Sequence, residues 1–302
     1  NIGTGKELFD YLNKLKFTEL KELIISESKN LDLKLFERIK FNRLEKLVNN
    51  FNDAITNEEF LIYFQPKYYI QGENNSLISA EALVRWKSPE FGMISPGDFI
   101  PIFEENGLIR KLDSYVFKKV IDQLKKWKEK YGVYFPVSVN LSRVDLLNPN
   151  LFNEITTLVD SNHIPHDKFI LEITESSYSE NAKQASDLCQ ALRKEGYRVE
   201  IDDFGSGYSS LNSLAELSFD VLKIDMRFMR NIDKNKYNKD IVKMIVDIAK
   251  LLEKKTVCEG VENESQYCYL KEIGCDIIQG YYFSKPLAND EFNKLLEREI
   301  RL

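Results

Sequence analysis

From Phe60 onward the chain alternates two kinds of segment: short runs dense in β-branched and aromatic residues, and longer stretches in which apolar residues recur every three or four positions. The first kind reads as strand and the second as amphipathic helix, and their alternation reads as repeated β-α units around a parallel sheet. Strands are expected over Phe60–Pro66, Leu77–Trp86, Tyr134–Ser142, Phe169–Thr174, Tyr197–Asp202, Val221–Ile224, Thr256–Val261 and Ile277–Phe283. Between them, Leu112–Tyr131 reads as a helix stopped by Gly132 and Asn181–Glu195 as one stopped by Gly196. Lys239–Lys255 carries Ile241, Met244, Ile245, Ile248 and Leu251 at helical spacing. Eight strands separated mostly by helices favour a closed (β/α)8 barrel over an open sheet.

Residues 1–44 are different. Lys6–Lys16, Thr18–Ser26 and Leu31–Leu44 read as helices rich in Lys, Glu and Leu, with no strand signal among them. Three readings stay open for this segment: the tail of an upstream regulatory domain, a signalling linker, or a helical lid. The barrel itself is expected from residue 45 to 302.

Polar residues punctuate the apolar runs at comparable places: Gln65, Glu81, Asn140, Glu172, Asp202 with Asp203, Lys223, Glu259 and Gln279. Barrel enzymes place their sites at the C-terminal rim of the strands, so these residues would face one pocket. Carboxylates buried without partners are costly, and several together imply cations. Asp202 and Asp203 are adjacent, and successive side chains of a strand point to opposite faces. The pair converges only where the strand ends and bends, as Gly205 and Gly207 allow. Such a pair suits two hard divalent cations, and it suits a helix N-cap beside a turn equally well.

Composition narrows the chemistry. At 302 residues and 43% hydrophobic content the chain accommodates one large α/β domain with a small appendage. A net charge of -6 argues against binding long nucleic acid, whose affinity comes from many Lys and Arg contacts to phosphate. A small anionic nucleotide drawn in by cations is compatible with it. Four scattered cysteines without a C-x-x-C pair point to a reducing, cytoplasmic compartment and no zinc cluster. Only His163 and His166 are present, flanking Pro165 in a loop, which leaves little material for a Ser-His-Asp or Cys-His mechanism. No run of 18 apolar residues occurs, and a start at Asn1 without a signal pattern suggests a piece of a longer protein, any membrane anchor or sensor lying upstream.

Ser79-Ala80-Glu81-Ala82-Leu83-Val84-Arg85-Trp86, followed by Gly92-Met93-Ile94-Ser95-Pro96, resembles the signature of the EAL family of cyclic di-GMP phosphodiesterases. Ser138-Val139-Asn140-Leu141-Ser142, Leu171-Glu172-Ile173-Thr174-Glu175 and Asp202-Asp203-Phe204-Gly205-Ser206-Gly207 resemble its following motifs. Lys223-Ile224-Asp225, Glu259-Gly260-Val261-Glu262 and Gln279-Gly280-Tyr281 complete the family's order, over roughly residues 45–302.

The resemblance implies a modified (β/α)8 barrel whose first strand runs antiparallel to the rest. It implies a hydrolase that opens cyclic di-GMP to linear pGpG with two Mg2+ or Mn2+ ions, the alternative being a catalytically silent cyclic di-GMP receptor. By the same resemblance Glu81, Asn140, Glu172 and Asp202 hold one ion, and Asp202, Asp203 and Glu259 the other. Glu81, Lys223 and Glu259 are the catalytic candidates. Gln65, Arg85, Asp203 and Gln279 are the candidates for touching substrate, and Glu175 for anchoring the loop Asp203–Ser210. A homodimer with an upstream sensory domain is the expected assembly.

Overall fold

A computed structural model describes residues 42–180, 182–205, 217–230, 232–233 and 235–300. The chain divides into two compact units, one holding the described residues up to Leu61 with Val84–Tyr115, the other Ile62–Leu83 with Val116 onward. In the first unit an aromatic cluster of Phe51, Phe60, Trp86, Phe99 and Phe103 packs edge-on and tilted at centroid distances of 4.9–6.3 Å. The indole N–H of Trp86 donates to Glu59 at 2.8 Å, so the buried ring leaves no orphan donor.

Among the described residues ten strands form one sheet: β1 Phe60–Tyr69, β2 Ser76–Ser88, β3 Gly92–Ile94, β4 Val137–Leu141, β5 Phe169–Thr174, β6 Val199–Phe204, β7 Val221–Ile224, β8 Lys255–Cys258, β9 Ile277–Ile278 and β10 Leu287–Ala288. Their order is β10-β1-β9-β8-β7-β6-β5-β4-β2-β3, with β1 also paired to β2, so eight strands close into a ring. From β2 through β9 the neighbours in the ring run parallel, whereas β1 pairs antiparallel with β9 through Tyr68↔Ile278 and Tyr69↔Ile277. The fold is a TIM-like barrel with an inverted first strand. Only residues 70–75 separate β1 from β2. That is enough for a hairpin and too short for the crossover a parallel pair requires.

Strand centres fall where the apolar runs put them, and the ends move. β1 continues past Pro66 to Tyr69, because a proline removes one donor from the ladder without ending it. β8 stops at Cys258, which leaves Glu259 just beyond the strand instead of within it. The run Ile277–Phe283 pairs only over Ile277–Ile278, since the backbone then turns where Gly280 packs against Val261. A Cβ on Gly280 would lie 2.2 Å from the Val261 carbonyl oxygen. The helices are Ile109–Tyr131, Ala182–Lys194 and Lys236–Leu251 where three were expected. Of the helices expected in residues 1–44, only 42–44 are described, and these are helical.

Inside the ring Val221, Val257 and Ile277 form an apolar layer joined by Tyr69 and Ile78. Lys223, Glu259 and Gln279 each follow a member of that layer by two residues, so they share its inward face one layer higher. On the β7–β9 side the floor of the barrel is hydrocarbon, and charge begins above it.

Candidate metal centre

Lys223 stands in the middle of the charged layer, fully buried. Its ammonium lies 2.7 Å from Glu172, 2.9 Å from Asp202, 2.9 Å from Glu259 and 3.4 Å from Glu81. These side chains arrive from β2, β5, β6, β7 and the end of β8. Burial works against an ammonium, but Asp202, Glu172, Glu259 and Glu81 outweigh it and hold Lys223 well above its ordinary value.

Burial raises two of these carboxyl groups and the lysines lower a third. Burial pushes Asp202 well above the usual carboxylate range, with Lys223 offsetting part of the shift. Burial likewise lifts Glu259 to about 7. Glu172 moves the other way, lowered because Lys223 and Lys67 together overcome its burial.

Ligand atoms of Glu81, Glu172 and Asp202 lie within 4.8 Å of one another, and so do those of Asp202, Asp203 and Glu259. Asp202 belongs to both groups. The adjacent aspartates converge by a device different from the expected one: β6 runs on to Phe204, and the bend lies at Asp203 itself, in the left-handed region with φ 55. Pairing between β6 and β7 shifts register between Ile201 and Phe204, a bulge of the kind that re-aims a side chain. Aspartate tolerates that conformation better than most residues, and its own N–H donates to Asp202 at 2.8 Å.

Asn140 donates its amide N–H to Glu81 at 3.1 Å, at the edge of the first group. Gln279 donates to Glu81 at 2.7 Å and to Gln65 at 3.1 Å, which places both glutamines beside the ring. The carbonyl oxygen of Gln279 is buried and has no hydrogen-bond partner among the described residues. All donors offered are oxygen atoms, the set preferred by hard divalent cations.

Glu175 begins the helix Glu175–Glu180 and accepts the Gly205 N–H at 2.7 Å. Residues 206–210 of the expected loop lie outside the described residues. Arg85 belongs to the other compact unit, where its guanidinium donates to the Val84 carbonyl at 2.8 Å.

Two charged residues escaped the sequence reading. Lys67 on β1 and Glu200 on β6 are both buried and lie 2.5 Å apart. Glu200 has the same parity as Asp202, and Lys67 the same as Gln65, so period two alone marked them as inward. His166 takes no part in the site. It stacks on Tyr197 at 4.2 Å and bridges Asp160 and the Glu195 carbonyl.

A family model described as the EAL domain matches residues 48–286. Cyclic di-GMP phosphodiesterase PdeR of Escherichia coli is 36% identical over 255 residues, covering 84% of this chain and 38% of that protein. The bifunctional diguanylate cyclase/cyclic di-GMP phosphodiesterase MucR of Pseudomonas aeruginosa is 31% identical over 82% of this chain and 36% of its own length. The chain therefore spans little more than a third of either relative. A solved MucR phosphodiesterase in complex with c-di-GMP superposes with a TM-score of 0.77 at 30% identity, covering 82% of this chain and 99% of that one. The EAL domain of FimX from Pseudomonas aeruginosa bound to c-di-GMP gives 0.73 at 25% identity, over 80% of this chain and 96% of the other. Among the described residues, no helix is long and apolar enough to cross a membrane.

Proposed function

The chain belongs to the EAL domain family, and from that premise we propose that it hydrolyses cyclic di-GMP to linear pGpG with two divalent cations, Mg2+ or Mn2+. The observation that carries this reading is the pair of overlapping acidic groups sharing Asp202. A structural role asks for no such excess of buried carboxylate over ammonium. Glu81, Asn140, Glu172 and Asp202 would hold one ion, and Asp202, Asp203 and Glu259 the second. When bound, the two ions supply Lewis-acid polarisation of the phosphate and a water of lowered pKa.

The chain's own residues do the rest. Glu259 is the candidate acceptor of the water proton, because it lies at the rim of the ring with part of its surface exposed. Lys223 offsets negative charge as the phosphorane forms. Gln279 turns its unpartnered oxygen toward a water hydrogen, and Gln65 beside it meets a guanine edge. Arg85 takes a phosphate oxygen. One water is consumed: a new P–O bond forms, the P–O3′ bond breaks, and the proton ends on the 3′ oxygen. We extend the proposal to a cytoplasmic homodimer fed by an upstream sensory region, which light scattering and fractionation of the full-length protein test.

The deciding experiment incubates the purified chain with cyclic di-GMP in Mg2+ or Mn2+ and separates products by chromatography. Production of pGpG supports the enzyme, and its loss in Glu81→Ala and Asp202→Ala supports the assigned residues. Binding without pGpG in either metal favours a silent receptor. Full activity in those two variants refutes the residue assignment.

A further inference from the structure

One layer below the carboxylate ring lies a charged group that the proposed chemistry leaves unused. The Lys67 ammonium, 1% exposed, donates to Glu200 at 2.5 Å, Glu172 at 2.6 Å and Ser138 at 2.9 Å. Its three N–H groups are all committed. Ser138 and Glu200 precede Asn140 and Asp202 by two residues on parallel strands, which sets Lys67 beneath the ring and not within it.

Stability does not explain this pair. Replacing a buried ion pair by well-packed apolar residues of similar volume is often neutral or stabilising. The same layer supplies that alternative beside Glu200, where its register partner Val221 packs with Val257 and Ile277.

Glu172 is the link to the ring. One oxygen accepts from Lys67 and the other from Lys223 at 2.7 Å. Lys223 divides its three N–H groups among four carboxylates, so an entering cation competes with it for those oxygens. The Lys67 contact lies below that competition. Glu200 supplies the second requirement, because an unbalanced ammonium beneath a cation site would repel the ion, and one carboxylate cancels it.

We propose that Lys67 and Glu200 are positioning residues, a charge-neutral buried pair that pins Glu172 from below and so sets the affinity of the cation site formed by Glu81, Asn140, Glu172 and Asp202. The proposal rests on the reading that this ring holds divalent cations. Partners that orient metal ligands change affinity by about 10–100-fold when removed.

The test measures Mn2+ binding to the metal-free chain by calorimetry and by electron paramagnetic resonance, with pGpG kinetics alongside. Lys67→Met/Glu200→Leu removes the pair while leaving the formal charge of the pocket unchanged. We expect it to weaken Mn2+ binding about tenfold or more, with little change in the metal-free melting midpoint, and excess Mn2+ to recover turnover at unaltered KM. Glu200→Gln keeps an acceptor for Lys67 but strips the balancing charge, and weakens Mn2+ binding by a smaller factor. Native affinity in a folded double variant overturns the proposal. If the double variant does not fold, native affinity in Glu200→Gln overturns it instead. An unsubstituted chain that binds no Mn2+ refutes the functional reading, whereas native binding with unaffected variants refutes this inference alone.

Discussion

Lys223→Met separates two accounts of the carboxylate ring, because it removes the ammonium common to Glu81, Glu172, Asp202 and Glu259. Glu172 keeps Lys67, while Glu81, Asp202 and Glu259 lose their lysine. Removing one partner of a buried pair costs about 3–5 kcal/mol. For a domain of this size 1 kcal/mol moves the melting midpoint by about 2–4 °C, so the metal-free variant should melt roughly 6–20 °C lower. Divalent cations change that result, since Lys223 competes with them for the same oxygens. A ligand at 100 times its Kd adds about 2.7 kcal/mol of stability, and the gain is larger where the competitor is gone. The assay is a melting curve for each protein in EDTA and in saturating Mn2+, read as a difference of differences. Mn2+ should raise the midpoint of the variant by more than it raises that of the unsubstituted chain, while turnover falls about 10²–10³-fold. An equal or smaller rise in the variant would refute the idea that ion and lysine share these ligands.

Three further outcomes are expected. Glu175→Ala orphans the Gly205 N–H at a cost of about 1–3 kcal/mol, whereas Glu175→Gln keeps an acceptor; hydrogen exchange at Gly205 should quicken in the first and not in the second. Burial raises Glu259 to about 7, so its favourable contribution to the metal-free fold is present below its ordinary value and lost as pH rises through about 7. Melting midpoints in EDTA should therefore decline from about pH 5 to 8 relative to those in saturating Mn2+, and parallel curves contradict the assignment. For His166, burial opposes the charge but the Glu195 carbonyl and Asp160 outweigh it and raise its pKa. The stabilisation is present below about pH 6.5 and lost as pH climbs through the raised value, so the midpoint gap between the unsubstituted chain and His166→Phe should shrink from pH 6 to 8; a constant gap is the contrary result.

Much of the barrel was legible because burial imposes hydrophobic runs and charge inside such runs is costly. Phe169–Thr174 and Val221–Ile224 match their predicted ends, as each is bounded by polar residues. The inverted strand was not legible from the residues themselves. A half-buried run has the same pattern in either direction, and direction depends on its neighbours; it entered only through resemblance. Lys67 is not legible because Pro66 reads as the end of its strand. Glu200 was missed for a different reason: its parity was readable, but one acidic residue in a short run is no signal without its partner across the ring. The bend at Asp203 is not legible because φ is not written in an aspartate, and the visible signal falls on Gly205, two residues later.

The inverted strand also sets an order of events. The ring closes only when β1, near the start of the barrel, meets β9, whose Ile278 faces Tyr68 across some two hundred residues of chain. Contacts of such sequence separation form late and slowly. During synthesis the β1 edge, with its backbone donors and acceptors, stays open until Ile277–Ile278 leaves the ribosome, and open edges invite pairing with other chains. Lys67 is carried on that strand and pairs with Glu172 and Glu200 on β5 and β6. A nascent chain stopped short of β9 has Lys67 and the carboxylates of β5 and β6 but no closed barrel to hold them together.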